Sequence, residues 1–382
     1  MLEGRHIGDP IALLDALAAR LNAGGARIER LGFTIRTIHP QILAWGCYWS
    51  RREGGRIFSG RHGTQNSDAY VGSPVQFVYE QKRPYRRRLD ALDEQSDPTL
   101  LFELRAEGMT DYLVHPMRFT DGSIHVATWT TDRPGGFSEC EVAGLQALLD
   151  PLARIVEIHM LRHTAANLLE TYVGKHAGTR VLAGKIKRGD TETINAAIWL
   201  SDMRGFTARA DRMAPGALIE LLNRYFDCQV PAIAARGGEV LKVMGDGLLA
   251  IFPVGQGRDA DRVCRDALAA ARVARDAIAA IAVPAAGAPT ETLAAEGLRF
   301  GLALHIGEVL YGNIGASNRL DFTAIGPAVN LVARLGALAG ELGRDVLVSA
   351  EFAALCPDRV EPLGMRALRG LSKPVEVYGL KV

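Results

Sequence analysis

The stretch Glu239–Phe252 constrains the fold of this chain more than any other. Its sequence, EVLKVMGDGLLAIF, sets two apolar runs, Glu239 to Val243 and Leu248 to Phe252, on either side of Met244-Gly245-Asp246-Gly247. Such runs favour strands, and a Gly-Asp-Gly tip favours a tight reversal, so a β-hairpin is expected with Asp246 at its tip. A second apolar run, Ala196 to Ser201, ends in Asp202. Taken singly, each aspartate reads as a strand-end cap. If the two strands are neighbours in one sheet, however, both carboxylates project from the same edge. Paired carboxylates of this kind suit Mg²⁺, which takes hard oxygen ligands and keeps sites for water and phosphate. Two metals about 4 Å apart can clamp the attacking and leaving oxygens of an in-line phosphoryl displacement.

The surrounding sequence is consistent with a packed α/β domain. Leu218, Leu221, Leu222, Tyr225 and Phe226 share one face of a helix expected from about Pro215 to Arg236, and Gly237-Gly238 ends it. The turn Arg204-Gly205-Phe206-Thr207 follows Asp202 directly and offers backbone N–H groups to phosphates at a helix start. Residues Ala279 to Gly297, rich in Ala and Pro, are expected to form a surface loop.

Four motifs in order carry a specific likeness: SDMRGFT, then GGEVLKVMGDGLLAIF, then GLALHIGEVLYGNIG, then DFTAIGPAVNLVARL. Together they resemble the catalytic domain of class III nucleotide cyclases over about residues 193–382. The resemblance implies a ferredoxin-like palm fold of the α/β (α+β) class, working as a homodimer with two active sites shared between the chains. It implies two Mg²⁺ or Mn²⁺ ions per site, held by Asp202, Asp246 and the backbone carbonyl of Met203. Lys242 matches the lysine that reads the adenine ring nitrogen. Thr323 matches the second base-reading position, where many relatives carry Asp. The Thr form is a subgroup often stimulated by bicarbonate. Asn330 and Arg334, four apart on one helix face, match the residues that orient the ribose and stabilise charge on the α-phosphate. Gly205, Phe206 and Thr207 fall where phosphates are held. A basic side chain near the C-terminus serves the β- and γ-phosphates in the family, and both Arg369 and Lys373 are candidates here. Pro327 stands where many relatives have Asp, at a position with no catalytic role in the family pattern.

Base choice has a physical basis. Adenine presents N1 as an acceptor and N6 as a donor, which a lysine and a threonine hydroxyl satisfy. Guanine presents N1–H, so Lys242 would set two donors against each other. Guanylate-specific relatives usually carry Glu and Cys at these two places. ATP is therefore the expected substrate, and 3′,5′-cyclic AMP and pyrophosphate the expected products. Guanylate cyclase activity and a catalytically silent dimerisation scaffold are the alternatives. A diguanylate cyclase needs a Gly-Gly-Asp/Glu-Glu-Phe turn, whereas Gly237-Gly238-Glu239 here precedes a strand.

The chain has 382 residues, enough for two domains and a connector. Residues 1–150 read as a helix, strands, a helix, strands and a long helix. Ile11, Leu14, Leu17, Ala18 and Leu21 mark the first helix, which Gly24-Gly25 stops. Strands are expected at Arg30 to Ile38, Gln41 to Trp49, Tyr112 to Arg118 and His125 to Thr130, then a helix at Glu139 to Met160 with Ser138 as its N-cap. This order, with the stretch TDRPGGFSECEVAGL, resembles a GAF-type sensory domain, which implies a regulatory role and a possible small-molecule ligand. Trp45, Tyr48, Trp49 and Trp129 read as core residues, and Lys82 to Arg88 as a solvated basic loop balanced by Asp90, Asp93 and Glu94.

Between the domains, residues 151–190 carry 7 basic and 3 acidic side chains, against a net charge of only +1 for the whole chain. Ile158, Leu161, Ala165, Leu168 and Tyr172 form a short heptad seam there. Gly174 and Gly178 are expected to break the helix, and Lys185-Ile186-Lys187-Arg188 to be solvated. The near balance of 44 basic and 43 acidic residues argues against coating of nucleic acid or anionic membrane by bulk charge. No apolar run reaches the length of a membrane span, and Met1 to Arg20 has no signal-peptide pattern. Five separated cysteines and nine histidines without ligand spacing argue for reduced thiols, a cytoplasmic setting and no zinc site.

Overall fold

The computed structural model describes residues 7–255, 257–284 and 295–381. The chain divides into two compact units, with the boundary between Leu168 and Leu169. No helix among the described residues is long and apolar enough to cross a membrane.

Unit 1 begins with helix α1 (Pro10–Ala23), capped by the Asp9 carboxylate on Ala12 N–H at 2.8 Å and ended at Gly24. Strands β1 (Ile28–Arg36), β2 (Ile42–Ser50) and β3 (Gly54–Arg61) follow. Next come α2 (Pro74–Gln81), β4 (Tyr85–Arg88), α3 (Thr99–Ala106), β5 (Asp111–Arg118), β6 (Ile124–Thr131) and α4 (Glu139–Val173). All six strands join one antiparallel sheet in the order β3-β2-β1-β6-β5-β4. Its two faces are both covered. Leu14 and Ala18 of α1 and Leu145, Leu152 and Val156 of α4 pack with Phe33, Trp45 and Trp129 on one face. Val78 of α2 and Leu101 and Leu104 of α3 pack with Val114 and Val126 on the other. Trp45 and Trp129 are thus core residues, as their strand spacing suggests.

Helix α4 opens with a capping box. Ser138 Oγ accepts from Glu141 N–H, while the Glu141 carboxylate accepts from Ser138 N–H at 2.9 Å. The helix expected to end near Met160 and the seam expected from Ile158 are one continuous helix, because no glycine or proline follows Pro151 before Gly174. Ile158, Leu161 and Tyr172 on that seam are exposed.

In the basic stretch Lys82 to Arg88, residues 82–84 are an exposed loop as expected, but Tyr85–Arg88 is an edge strand whose arginines are partly buried and paired. Arg86 donates to the fully buried Asp111 at 2.9 Å, and Arg87 to Asp97 at 2.5 Å. Of the three acids expected to balance the run, only Asp90 pairs with it, through Arg88. Strand β3 was also hidden, since GGRIFSGR has little apolar alternation; it forms because β2 offers it a full antiparallel edge.

Unit 2 contains α5 (Lys175–Leu182), β7 (Thr191–Met203), α6 (Phe206–Ala210), α7 (Pro215–Ala234), β8 (Glu239–Met244), β9 (Gly247–Pro253) and α8 (Ala260–Ala279). It continues with β10 (Ala282–Pro284), β11 (Ala295–Gly297), β12 (Phe300–Ala316), β13 (Arg319–Ile325), α9 (Pro327–Glu341), β14 (Val346–Ser349), α10 (Ala350–Ala354), β15 (Val360–Arg366) and β16 (Val375–Leu380). The main sheet runs β15-β16-β14-β12-β7-β9-β8, with β13 paired to β12. Within it, β7-α7-β8-β9-α8-β12 is a β-α-β-β-α-β succession with strands ordered β12-β7-β9-β8. The loop expected at Ala279 to Gly297 is bounded by the paired strands β10 and β11, and its residues 285–294 lie outside the described residues.

The central strand β7 is buried on both faces, which explains its unbroken apolar run. Ala197 and Trp199 face Tyr225, Phe252 and Phe300 under α7 and α8. Ala196 and Ile198 face Val332 and Leu335 of α9. Gly174 separates α4 from α5, but Gly178 lies buried inside α5 rather than breaking it. A Cβ at Gly178 would stand 3.1 Å from the Leu169 backbone, so the position serves close packing. Lys185 to Arg188 is exposed, as expected.

The Arg86–Asp111 pair gives a stability test. Asp111 has no exposure and also accepts Phe137 N–H at 3.1 Å. Removing Arg86 leaves a buried carboxylate without its cation. Arg86→Ala should lower the unfolding free energy of unit 1 by about 2 kcal/mol or more, read from urea denaturation of the full chain. A change within ~0.5 kcal/mol, the range of ordinary surface substitutions, would show that the pair is not needed.

Candidate functional site

The hairpin and the central strand are neighbours. β7 pairs antiparallel with β9, Ser201 opposite Leu248, and β9 pairs with β8, Met244 opposite Gly247. Gly245 and Asp246 therefore form a two-residue loop, and Gly245 takes the left-handed conformation (φ 64°) that this tight loop demands. Asp202 and Asp246 consequently share one edge of the sheet. Asp246 Oδ2 accepts the backbone N–H of Met203 at 3.1 Å, which fixes it beside the end of β7. Met203 itself is anchored by its buried side chain. Below this edge, Ser201 Oγ bonds to the buried Gln229 at 2.6 Å and accepts Trp199 Nε1 at 3.2 Å, so the strand end has little freedom.

The electrostatics at the edge favour a cation. Asp202 Oδ1 is buried without a hydrogen-bond partner. Burial raises the Asp202 pKa above the usual carboxylate range; Arg204 opposes this, and the like charge of Asp246 adds to it. Arg204 Nη1 approaches Asp202 Oδ1 to 3.2 Å. A buried oxygen with free lone pairs beside a second carboxylate and a backbone carbonyl is a donor set that fits Mg²⁺ or Mn²⁺.

Gly301 makes this arrangement possible. It lies opposite Asp202 on β12, and a Cβ there would fall 2.0 Å from Arg204 and 2.6 Å from Asp202 Oδ1. Neither Arg204 nor Gly301 was expected to shape the acidic pair. Arg204 was visible two residues after Asp202, but Gly301 becomes informative only through the β7–β12 register.

The other expected residues lie on several further elements. Lys242 lies on β8 just past a bulge, where Val240 opposes Ala250 but Lys242 opposes Leu249. Its ammonium bonds Asp321 Oδ2 at 2.6 Å. Thr323 is two residues further along β13, opposite Gly312. Asn330 and Arg334 sit on α9, with Pro327 at its first turn, where its fixed φ suits a helix start. Arg334 reaches the turn at Gly370, since a Cβ there would lie 3.4 Å from its Nη2. Arg369 and Lys373 are exposed on that connection between β15 and β16, which Leu368 anchors in the core. Gly205 (φ 72°) precedes the short helix α6, which begins with Phe206 and Thr207. Among the described residues, no hydrogen bond or ion pair joins Asp202 or Asp246 to Lys242, Thr323, Asn330 or Arg334 within the chain.

Asp321 is the functional candidate that sequence reasoning missed. Its signal was parity: residues two apart on a strand share a face, so Asp321 and Thr323 point the same way.

Unit 1 holds a cavity of about 670 Å³ lined by Asn22, Gly25, Arg27, Glu29, Arg51, Asp132 and Arg133. Its guanidinium groups are paired, Arg27 with Asp132 and Arg51 with Glu29.

Comparison with known proteins bears on unit 2. Residues 190–381 match the family model described as the adenylate and guanylate cyclase catalytic domain. Adenylate cyclase 1 of Rhizobium meliloti (strain 1021) is 32% identical over 182 residues, 47% of this chain and 26% of that protein. An adenylate cyclase of Anabaena cylindrica is 29% identical over 196 residues, 51% of this chain and 36% of that protein. The chain thus spans well under half the length of these relatives. Among solved structures, the adenylyl cyclase CyaB from P. aeruginosa matches 50% of this chain and 96% of its own, at 26% identity and a TM-score of 0.42.

The raised Asp202 pKa has a measurable consequence without metal. The folded chain holds this proton more tightly than the unfolded chain does, so stability falls as pH rises from the ordinary carboxylate range through the raised one. In EDTA, Asp202→Asn removes that loss. Its Tm should gain on the wild type by about 1–2 °C between about pH 4 and pH 7, measured by thermal denaturation. A constant Tm difference over that range would contradict the assigned burial.

Proposed function

The chain belongs to the adenylate and guanylate cyclase catalytic-domain family, and from that membership we propose that it is an adenylate cyclase, forming 3′,5′-cyclic AMP and pyrophosphate from ATP. The observation that carries this reading is the convergence of Asp202 and Asp246 at one sheet edge, with a buried Asp202 oxygen that accepts no hydrogen bond and is met by the Arg204 ion pair. Asp202, Asp246 and the Met203 carbonyl would hold two Mg²⁺ or Mn²⁺ ions, which when bound supply Lewis acidity toward the ribose 3′-hydroxyl and charge neutralisation for the triphosphate.

The remaining work falls to the chain's own groups. Lys242 donates to adenine N1, and the Thr323 hydroxyl accepts from N6. Asn330 orients the ribose. Arg334 sets its planar fork against the α-phosphate, where charge grows as the 3′-oxygen attacks and pyrophosphate leaves. Backbone N–H groups at Gly205, Phe206 and Thr207 and a cation from the Arg369–Lys373 connection hold the outer phosphates. A guanine base meets Lys242 with N1–H, donor against donor, and is disfavoured.

Membership of the cyclase family supports a homodimer of ferredoxin-like palm domains where each site takes one group from each protomer. The β-α-β-β-α-β succession of unit 2 and the exposed seam Ile158, Leu161 and Tyr172 on α4 support the same assembly. Unit 1 is read as a GAF-like regulatory domain. Its six-stranded antiparallel sheet between helices, closing with the long α4, supports this, and its polar cavity offers room for a small ligand.

Two assays test the reading. Asp202→Ala or Asp246→Ala should each lower cyclic AMP formation by roughly 100- to 1,000-fold or more; an active variant at either position removes the metal assignment. Mixing Asp202→Ala chains with Arg334→Ala chains should restore up to about a quarter of wild-type activity, because half of the dimers are mixed and each keeps one intact site. No rescue on mixing counts against shared sites.

A further inference from the structure

Arg204 brings a positive charge to the acidic edge from two residues beyond Asp202. Its backbone N–H donates to the Arg299 carbonyl at 3.0 Å, which holds the residue against the entry to β12. The guanidinium then turns back, with Nη1 3.2 Å from Asp202 Oδ1 and Nη2 3.4 Å from the Arg344 carbonyl oxygen. Two glycines on separate elements leave it room. A Cβ at Gly301 of β12 would stand 2.0 Å from Nη2, and one at Gly340 of α9 would stand 3.0 Å from Nη1. The two neighbouring arginines are engaged elsewhere, Arg299 with Asp345 and Arg344 with Glu361. Among the described residues, Arg204 is thus the cation that the fold gives to Asp202.

The contact serves charge better than it serves hydrogen bonding. Asp202 Oδ1 accepts no hydrogen bond although the guanidinium stands beside it. An arginine seated fully on a carboxylate makes short, forked bonds instead. A pair held mainly by Coulomb attraction is readily exchanged for a denser charge, and this one covers the carboxylate that the function proposed above gives to metal. We infer that Arg204 is a tethered counter-ion that competes with divalent metal for Asp202, and so sets the metal concentration at which the site fills. In the metal-free chain it offsets the repulsion between Asp202 and Asp246. An incoming ion either displaces the guanidinium, losing that ion pair, or binds beside it, setting like charges together. Both routes weaken metal binding. A purely structural role for Arg204 would leave metal affinity where it is.

This inference rests on the metal assignment proposed above, and its test separates the two. Mn²⁺ binding to the full chain without nucleotide is measured by calorimetry for the wild type and for Arg204→Gln, Arg204→Ala, Arg204→Lys and Asp202→Asn. Arg204→Gln and Arg204→Ala should each bind Mn²⁺ about tenfold more tightly, as removal of one partly screened charge beside the ion requires. Arg204→Lys, which keeps the charge on a different stem, should stay within about threefold of the wild type. Asp202→Asn should bind about tenfold more weakly or worse. At equal concentration, Mn²⁺ should raise the Tm of the two neutral variants more than that of the wild type. The Mn²⁺ concentration that gives half-maximal cyclic AMP formation should fall in step with the affinity. Whichever neutral variant folds decides the matter. Unchanged Mn²⁺ affinity there, with Asp202→Asn weakened, overturns the inference and leaves the metal assignment standing. Weaker binding also overturns it, and would make Arg204 a support that orients Asp202. Equal affinity in Asp202→Asn and the wild type overturns the metal assignment and this inference with it.

Discussion

Ser201 lies opposite Leu248 where β7 pairs with β9, and the chemistry of unit 2 depends on that register. It carries Asp202 and Asp246 to the same edge, although 43 residues separate Met203 from its partner Asp246 in sequence. The register is well specified because β7 is buried on both faces. A slip by one residue would exchange Trp199, packed beneath α7 and α8, with Ile198, packed beneath α9. A tryptophan would then have to fit a space shaped for an isoleucine. Packing of this kind holds two like charges together where solvent and repulsion would otherwise keep them apart.

That arrangement has an electrostatic cost built into the unliganded chain. Asp202 is partly buried, faces Asp246, and has Arg204 as its nearby cation among the described residues. The strand end beneath it is correspondingly stiff, with Ser201, Gln229 and Trp199 bonded in the interior. Gly301 completes the design by leaving the space in which Arg204 lies. The acids are therefore presented by a rigid strand end and hairpin tip, while the residues proposed to read the base stand on β8 and β13 and those proposed for the ribose and α-phosphate on α9.

Much of this was legible in the sequence, and the reasons differ by element. β7, β8 and β9 announced themselves through apolar runs bounded by turn residues, and α1, α4 and α7 through three- and four-residue spacing. β3 and β4 did not, because GGRIFSGR and YRRR have the composition of loops. Neighbouring strands and ion pairs to Asp97 and Asp111 hold them in the sheet, so tertiary context outweighs local preference. At the site, the acids and the residues of α9 were visible from their motifs. Asp321 was not, since its partner lies 79 residues away and only the folded arm brings them together.

The bulge on β8 couples two tasks that look separate. It places Leu241 as an extra residue against β9, so that Lys242 opposes Leu249 and Met244 closes on Gly247. Without it, the same strand would meet β9 one position out of step, and the reversal would need a three-residue loop around Asp246. The residue proposed to read the base and the residue proposed to hold metal are thus set by one reading frame. Any change of length between Leu241 and Gly247 displaces both together, so neither can be adjusted by sliding the strand while the other stays in place.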